Sequence, residues 1–157
     1  METTGVESTD HVVEVAAWDL IPENGPVGIL NAGSWLVKPP IPIPPPTSAI
    51  HHLIDADVAD ALAWIDTYPY VIDHGVDAYC AHNAKFERQW ITDAVTGGKP
   101  WVCTYRCALR VWTNAPSHSN QALRYWLNLD VDRGIASYAH RAGPDAYVTA
   151  HLARDLL

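Results

Sequence analysis

The sequence predicts an α/β domain, and three observations carry that prediction. A β-branched run, His11–Leu20 (His-Val-Val-Glu-Val-Ala-Ala-Trp-Asp-Leu), reads as a strand bounded by turn formers. A closing stretch places Val148, Leu152 and Leu156 at helical spacing behind Pro144. Between them the order strand, helices, strand, helix, strand, helices mixes antiparallel with parallel pairing. At 157 residues the chain reads as one domain, 1–157, long enough to bury a proper core.

Taken in order, Met1–Gly5 (Met-Glu-Thr-Thr-Gly) has no structured element before it and turns through Thr-Thr-Gly. After the His11–Leu20 strand, Pro22–Pro26 contains Asn24-Gly25, a hairpin turn signal. A second strand, about Gly28–Val37, is expected antiparallel to the first. Pro39–Pro46 holds six prolines and reads as an extended crossover, not as a ligand for a proline-binding module, because folded-looking sequence flanks it. Thr47 or Ser48 can cap a short helix over Ala49–Leu53, and Asp55 opens another with Val58, Leu62 and Ile65 on one face. Val76–Ala81 reads as a buried strand, and Asn83 caps a helix Ala84–Val95 with Phe86, Trp90 and Ala94 repeating at four. Gly97-Gly98-Lys99-Pro100 ends that helix; then come a strand Trp101–Cys103 and helices Tyr105–Trp112 and Gln121–Leu127. In the last helix Gly143 is the expected N-cap and Pro144 the first helical residue, where a missing N–H costs nothing.

Composition narrows the function classes. A net charge of −8 argues against holding duplex nucleic acid by broad electrostatics. It leaves room for a metal-dependent nucleic-acid site, because bound cations reverse the local sign. The seven Trp are read as core or groove wall, since none clusters with Lys or Arg as a stacking platform would. Three cysteines, Cys80, Cys103 and Cys107, point to a reducing compartment; no second pair completes a zinc site, so they read as buried thiols. No apolar run approaches a membrane span, and a cytoplasmic location with no membrane partner is expected.

The chemistry-bearing residues cluster at element junctions, where α/β folds build sites. Glu2 precedes the Thr-Thr-Gly turn, Glu87 lies in a first helical turn just after Ala81-His82-Asn83-Ala84, and Asp145 opens the last helix. The helix dipole favours an ionised Asp145, and His140 stays on the preceding loop as a free base. Each residue alone also reads as an ordinary solvated or dipole-pairing side chain. Together, carboxylates facing one point repel unless cations share the site, which suits two Mg²⁺ or Mn²⁺ ions and phosphodiester hydrolysis.

Glu2-Thr3-Thr4-Gly5, Ala81-His82-Asn83-Ala84-Lys85-Phe86-Glu87 and His140-Arg141-Ala142-Gly143-Pro144-Asp145 resemble, in order, the three motifs of the DEDDh 3′–5′ exonucleases. Val12–Ala16, Leu36-Val37-Lys38-Pro39, Ile50-His51-His52-Leu53, Trp101-Val102-Cys103-Thr104 with Ala108-Leu109-Arg110, and Ser119-Asn120-Gln121-Ala122-Leu123 extend the resemblance over nearly the whole chain, toward the exodeoxyribonuclease X type. The resemblance implies a ribonuclease H-like fold, a mixed central sheet flanked by helices. It implies Glu2, Glu87 and Asp145 as ligands of two metal ions, His140 and Glu2 as catalytic groups, and Thr3, Thr4 and Asn83 as substrate-binding. The implied reaction trims single-stranded or frayed DNA 3′ ends to nucleoside 5′-monophosphates. An exoribonuclease, or a non-catalytic nucleic-acid or protein-binding module with a degraded site, are the alternatives.

Two departures from the family pattern stand out. The family's first motif is Asp-x-Glu and Met1 stands at its x, so the aspartate and the central strand ending at it are expected to be missing through a misplaced start codon or trimming. Glu87 stands where the family has aspartate; one methylene moves the carboxylate by about 1 Å.

Overall fold

The computed structural model describes residues 1–22, 27–73 and 75–157; the Asn24-Gly25 turn lies outside the described residues. It is α/β, with antiparallel and parallel pairs both present. Three strands form one sheet in the order β1 (Glu2–Thr3), β2 (Val12–Ile21), β3 (Gly28–Leu36), all antiparallel. A second, two-stranded parallel sheet joins β4 (Tyr79–Ala81) to β5 (Trp101–Cys103). Seven helices are described: α1 (Pro45–His51), α2 (Trp64–Val71), α3 (Ala84–Glu87), α4 (Asp93–Thr96), α5 (Thr104–Val111), α6 (Asn120–Trp126) and α7 (Ala142–Leu156). None of them is long and apolar enough to cross a membrane.

β2 is the spine. Val12, Val13, Glu14 and Val15 are all buried, as expected of a strand covered on both faces. Its ladder with β3 bulges between Ala17 and Trp18, opposite Gly33 at φ 149°. A Cβ at Gly33 would lie 2.5 Å from the Trp35 ring, so only glycine lets that indole fold back across the strand. α7 crosses β2 and β3. Its Tyr147, Val148 and Leu152 bury with Ala108 of α5 and Leu123 of α6, beneath Trp18, Ile29 and Trp112. Val13 packs with Ile43, Leu53 and Val58, while Val12, Val15 and Val37 gather Met1, Trp35, Trp64 and Trp90. Five of the seven tryptophans therefore pack against the core, while Trp101 is half-buried against Tyr79 and Trp126 is 42% exposed.

Several expected elements differ, each for a local reason. Glu2–Thr3 is a strand and not only the start of a turn, because β2 supplies a ladder for it. α1 begins at Pro45, ahead of Thr47 and Ser48; prolines fit the first helical positions, whose N–H groups have no helical partner. No helix opens at Asp55. Its Oδ1 instead accepts the Ile43 N–H at 2.8 Å, and Asp57 Oδ2 accepts the Ile54 N–H at 2.8 Å, so both acids stabilise turns. Leu62 and Ile65 are exposed, and the helix that does form there, α2, starts at Trp64.

The Ala84–Val95 helix is broken into the two single turns α3 and α4. Trp90 Nε1 donates to the Asp10 carbonyl at 2.7 Å, and Thr92 is extended, which resets the helix at Asp93. β4 is shorter than Val76–Ala81, since Gly75 turns on Asp73 Oδ1 before pairing starts. α7 starts at Ala142 with Arg141 as N-cap, so Pro144 is its third residue, still within the turn of partnerless amides. Cys80 is exposed and Cys103 and Cys107 are half-buried, unlike the buried thiols expected.

Candidate active site

Stretches separated by more than fifty residues meet around Met1. The Met1 side chain sits against Val12, Val15 and Val37, and its amino nitrogen is 3.8 Å from Glu87 Oε1. The β1–β2 register puts Glu2 directly across from Glu14. Like charges at such a pair repel. Glu14 is neutralised: Arg141 donates Nε to its Oε2 at 3.0 Å and a terminal guanidinium nitrogen to its Oε1 at 2.7 Å. Burial pushes the Glu2 carboxyl up to about 7; Asp145 and Glu14 nearby add to this, while the Met1 amino group and Arg141 pull it back.

Asp145 sits in the first turn of α7 with both oxygens held. Oδ2 accepts the His140 backbone N–H at 2.9 Å, and Oδ1 accepts the Gln121 side-chain amide at 2.8 Å. Gln121 is itself fixed, because Arg124 donates to its Oε1 at 3.2 Å and to the Ala136 carbonyl. His140 adopts φ 59°, an unusual backbone for a non-glycine residue, and this aims its N–H at Asp145. Its side chain is exposed to solvent. Glu87 ends α3 with Oε2 buried and, among the described residues, without a hydrogen-bond partner; burial raises its pKa.

The structure thus places Glu87 beside the Met1 amino group, puts Glu2 within the electrostatic reach of Asp145, and sets the His140 backbone against Asp145. It treats the expected substrate-binding residues differently. Thr3 and Thr4 are buried, and their hydroxyls are spent inside the β1–β2 turn. Thr3 Oγ1 donates to the Gly5 carbonyl, and Thr4 Oγ1 accepts the His11 N–H at 3.0 Å. A Cβ at Gly5 would meet the Asp10 carboxylate at 2.3 Å and push that acid off the Glu7 N–H it holds in this turn. Asn83 is exposed in the left-handed region at φ 79°, and its side chain makes no cap bond to α3. A surface depression of about 540 Å³, lined by Trp35, Asp57, Asp60 and Thr67 among others, contains none of these residues, so the acids do not lie in it.

Among the described residues no three His, Cys, Asp or Glu side chains converge closely enough to hold a metal ion. The donors nevertheless fit a hard divalent cation in kind. They are carboxylate oxygens, one of them a buried orphan at Glu87 and another, on Glu2, raised toward neutrality by burial.

Three residues of this neighbourhood had no assigned role from sequence: Glu14, Gln121 and Arg141. Glu14 left a legible signal, an acid inside the apolar run Val12–Ala17, which must find a partner if buried. Gln121 left none, because a glutamine near a helix start is ordinary.

No protein-family model matches the chain. It is 37% identical over 157 residues to exodeoxyribonuclease 10 of Escherichia coli strain K12, covering 99% of this chain and 66% of that protein. The same figures hold for exodeoxyribonuclease 10 of Escherichia coli O6:H1 strain CFT073. The chain thus spans just under two thirds of the length of these curated relatives. A solved structure of exonuclease X in complex with 5′ overhanging duplex DNA superposes with a TM-score of 0.79 at 35% identity, covering 99% of this chain and 86% of that one.

Proposed function

The chain belongs to the exonuclease X family, and from that premise we propose that it is a metal-dependent 3′–5′ exonuclease acting on DNA ends. In this reading residues 1–157 form one exonuclease domain of ribonuclease H-like fold, supported by the antiparallel β1–β2–β3 sheet beside the parallel β4–β5 pair. The observation that carries the reading is that the Met1 amino group stands 3.8 Å from Glu87 while the adjacent Glu2 feels the charge of Asp145, whose Oδ2 holds the His140 N–H.

Glu2, Glu87 and Asp145 would hold Mg²⁺ or Mn²⁺, two ions in the full site. Such cations activate water and offset charge on the phosphate oxygens. His140 accepts a proton from the attacking water on a ring nitrogen, which its exposure and its place beside Asp145 favour. The water oxygen joins phosphorus, the bond to the 3′ oxygen of the penultimate nucleotide breaks, and a nucleoside 5′-monophosphate leaves. Thr3 and Thr4 shape the floor of the 3′-terminal pocket through the buried turn they maintain, and Asn83 presents its exposed amide at the rim. DNA as substrate is supported by the family and by the DNA-bound exonuclease X structure.

The test is a labelled oligonucleotide assay on the purified chain. Matched single-stranded DNA and RNA are incubated with Mn²⁺ or with EDTA. The expected result is Mn²⁺-dependent release of 5′-mononucleotides from DNA 3′ ends, lowered about 10²-fold or more by His140→Ala. Faster trimming of RNA would overturn the substrate. DNA binding with no hydrolysis, unchanged by His140→Ala, would establish a binding module in place of an enzyme.

A further inference from the structure

Glu14 is 4% exposed near the start of β2, between Val13 and Val15, where a carboxylate contributes nothing to an apolar core. Among the described residues, every hydrogen bond of its side chain runs to one place, the start of α7. Arg141 grips it with two donors at 3.0 and 2.7 Å, and the Ala142 backbone N–H donates to Oε2 at 2.8 Å. Arg141 is the N-cap of α7, and its own side chain makes no cap bond. One of the first-turn amides that has no helical partner, that of Ala142, therefore finds its acceptor on another element, 128 residues earlier in the chain.

What this clamp holds is specific. Directly before Arg141 is His140, whose N–H is bound to Asp145 Oδ2; the Arg141 carbonyl accepts the Asp145 N–H at 3.0 Å. Residues 140–145 thus form a closed turn anchored at its middle. On the other side, Glu14 is the cross-strand partner of Glu2. The fork therefore ties the strand position opposite Glu2 to the turn that carries His140 and Asp145. A buried ion pair is poor evidence of stabilisation, because apolar residues of similar volume usually serve stability as well or better. A planar fork with a third donor fixes direction and distance, which an apolar contact does not.

We propose that Glu14 and Arg141 form a positioning pair that sets where His140 and Asp145 stand relative to Glu2. Its effect on rate rests on the exonuclease reading; its effect on the 140–145 turn does not. The pair touches no reacting atom and acts only through the residues it places.

The test joins backbone exchange to kinetics. Amide hydrogen exchange is followed by NMR in the wild type, Glu14→Gln and Arg141→Lys, beside melting curves and the Mn²⁺-dependent kcat and KM on a DNA oligomer. Glu14→Gln should speed exchange of the Ala142 and His140 amides by about tenfold or more while the β2–β3 ladder keeps its protection. kcat should fall about 10–10²-fold with KM within about twofold, as a misplacement near 1 Å demands. Arg141→Lys keeps the charge but loses the fork, and should repeat the pattern more weakly. Should Glu14→Gln not fold, Arg141→Lys alone decides. Unchanged exchange at Ala142 and His140 overturns the proposal, as does a loss of protection spread evenly over the ladder and the turn. A wild type without hydrolysis sinks the exonuclease reading and leaves the exchange result to judge the pair.

Discussion

At the scale of single residues, the site depends on how firmly each carboxylate is aimed. Asp145 is the best aimed, with one oxygen on the His140 N–H and the other on Gln121. Gln121→Leu removes the second donor without emptying the space. The fold should lose about 1 kcal/mol, the worth of one partly buried hydrogen bond, readable as a small drop in melting temperature. Activity should fall about tenfold, because the carboxylate gains a rotation it lacked. An unchanged rate in steady-state assays would mean that Asp145 is aimed by the His140 N–H alone. These two partners also mark where sequence reading reached its limit. The spacing of His140 and Asp145 made a base beside an acid legible, and the Val-rich run around Glu14 hinted at a buried charge. Nothing in the chain announced that Gln121 would reach 24 residues forward, because side-chain hydrogen bonds between helices leave no periodic trace.

At the scale of elements, segments with a clear pattern or clear turn signals were readable, down to the three-residue β5 at Trp101–Cys103, and those without were not. β2, β3, α5, α6 and α7 follow their hydrophobic patterns to within a few residues. α2 went unseen, and α3–α4 read as one helix, because Trp90 trades helical continuity for a bond to Asp10, 80 residues away. A proline run likewise conceals a helix start at Pro45. The β4–α3 junction shows what such unpatterned joints do. His82 spans it: Nε2 faces the His118 carbonyl at 2.8 Å, so it carries the proton, and Nδ1 faces the Thr104 hydroxyl at 2.9 Å. Burial holds the His82 pKa below its ordinary value, against the pull of the His118 carbonyl and Asp145. A histidine whose folded pKa is lowered contributes stability above its unfolded value near 6.5, and loses it as pH falls through the lower folded value. The wild-type melting temperature should therefore drop relative to His82→Gln as pH is taken from 7.5 to 5. Parallel pH curves for the two proteins would show that His82 takes up no extra proton on unfolding.

At the scale of the whole molecule, charge decides how a nucleic acid can be held. Eighteen acids face ten Lys and Arg, so a long duplex gains little from the protein's field and is repelled by much of it. On the proposed exonuclease reading, recognition is local, confined to the last few nucleotides, and cations held by Glu2, Glu87 and Asp145 would supply the positive charge that a net charge of −8 does not. Two consequences separate this from ordinary basic-patch binding. Few phosphates are neutralised by side chains, so the slope of log K against log salt should be shallow, near −1 to −2, where a protein contacting six or more phosphates would show −5 or steeper. Chelation should also weaken binding by about tenfold or more, since stripping the cations leaves buried carboxylates facing a phosphate. Fluorescence anisotropy of a 3′-labelled DNA oligomer between 50 and 200 mM salt, with Ca²⁺ or with EDTA, measures both. A steep slope that EDTA leaves untouched would place the DNA on a basic surface, remote from the acids around Met1, and the chain would then bind DNA by a route that its carboxylates take no part in.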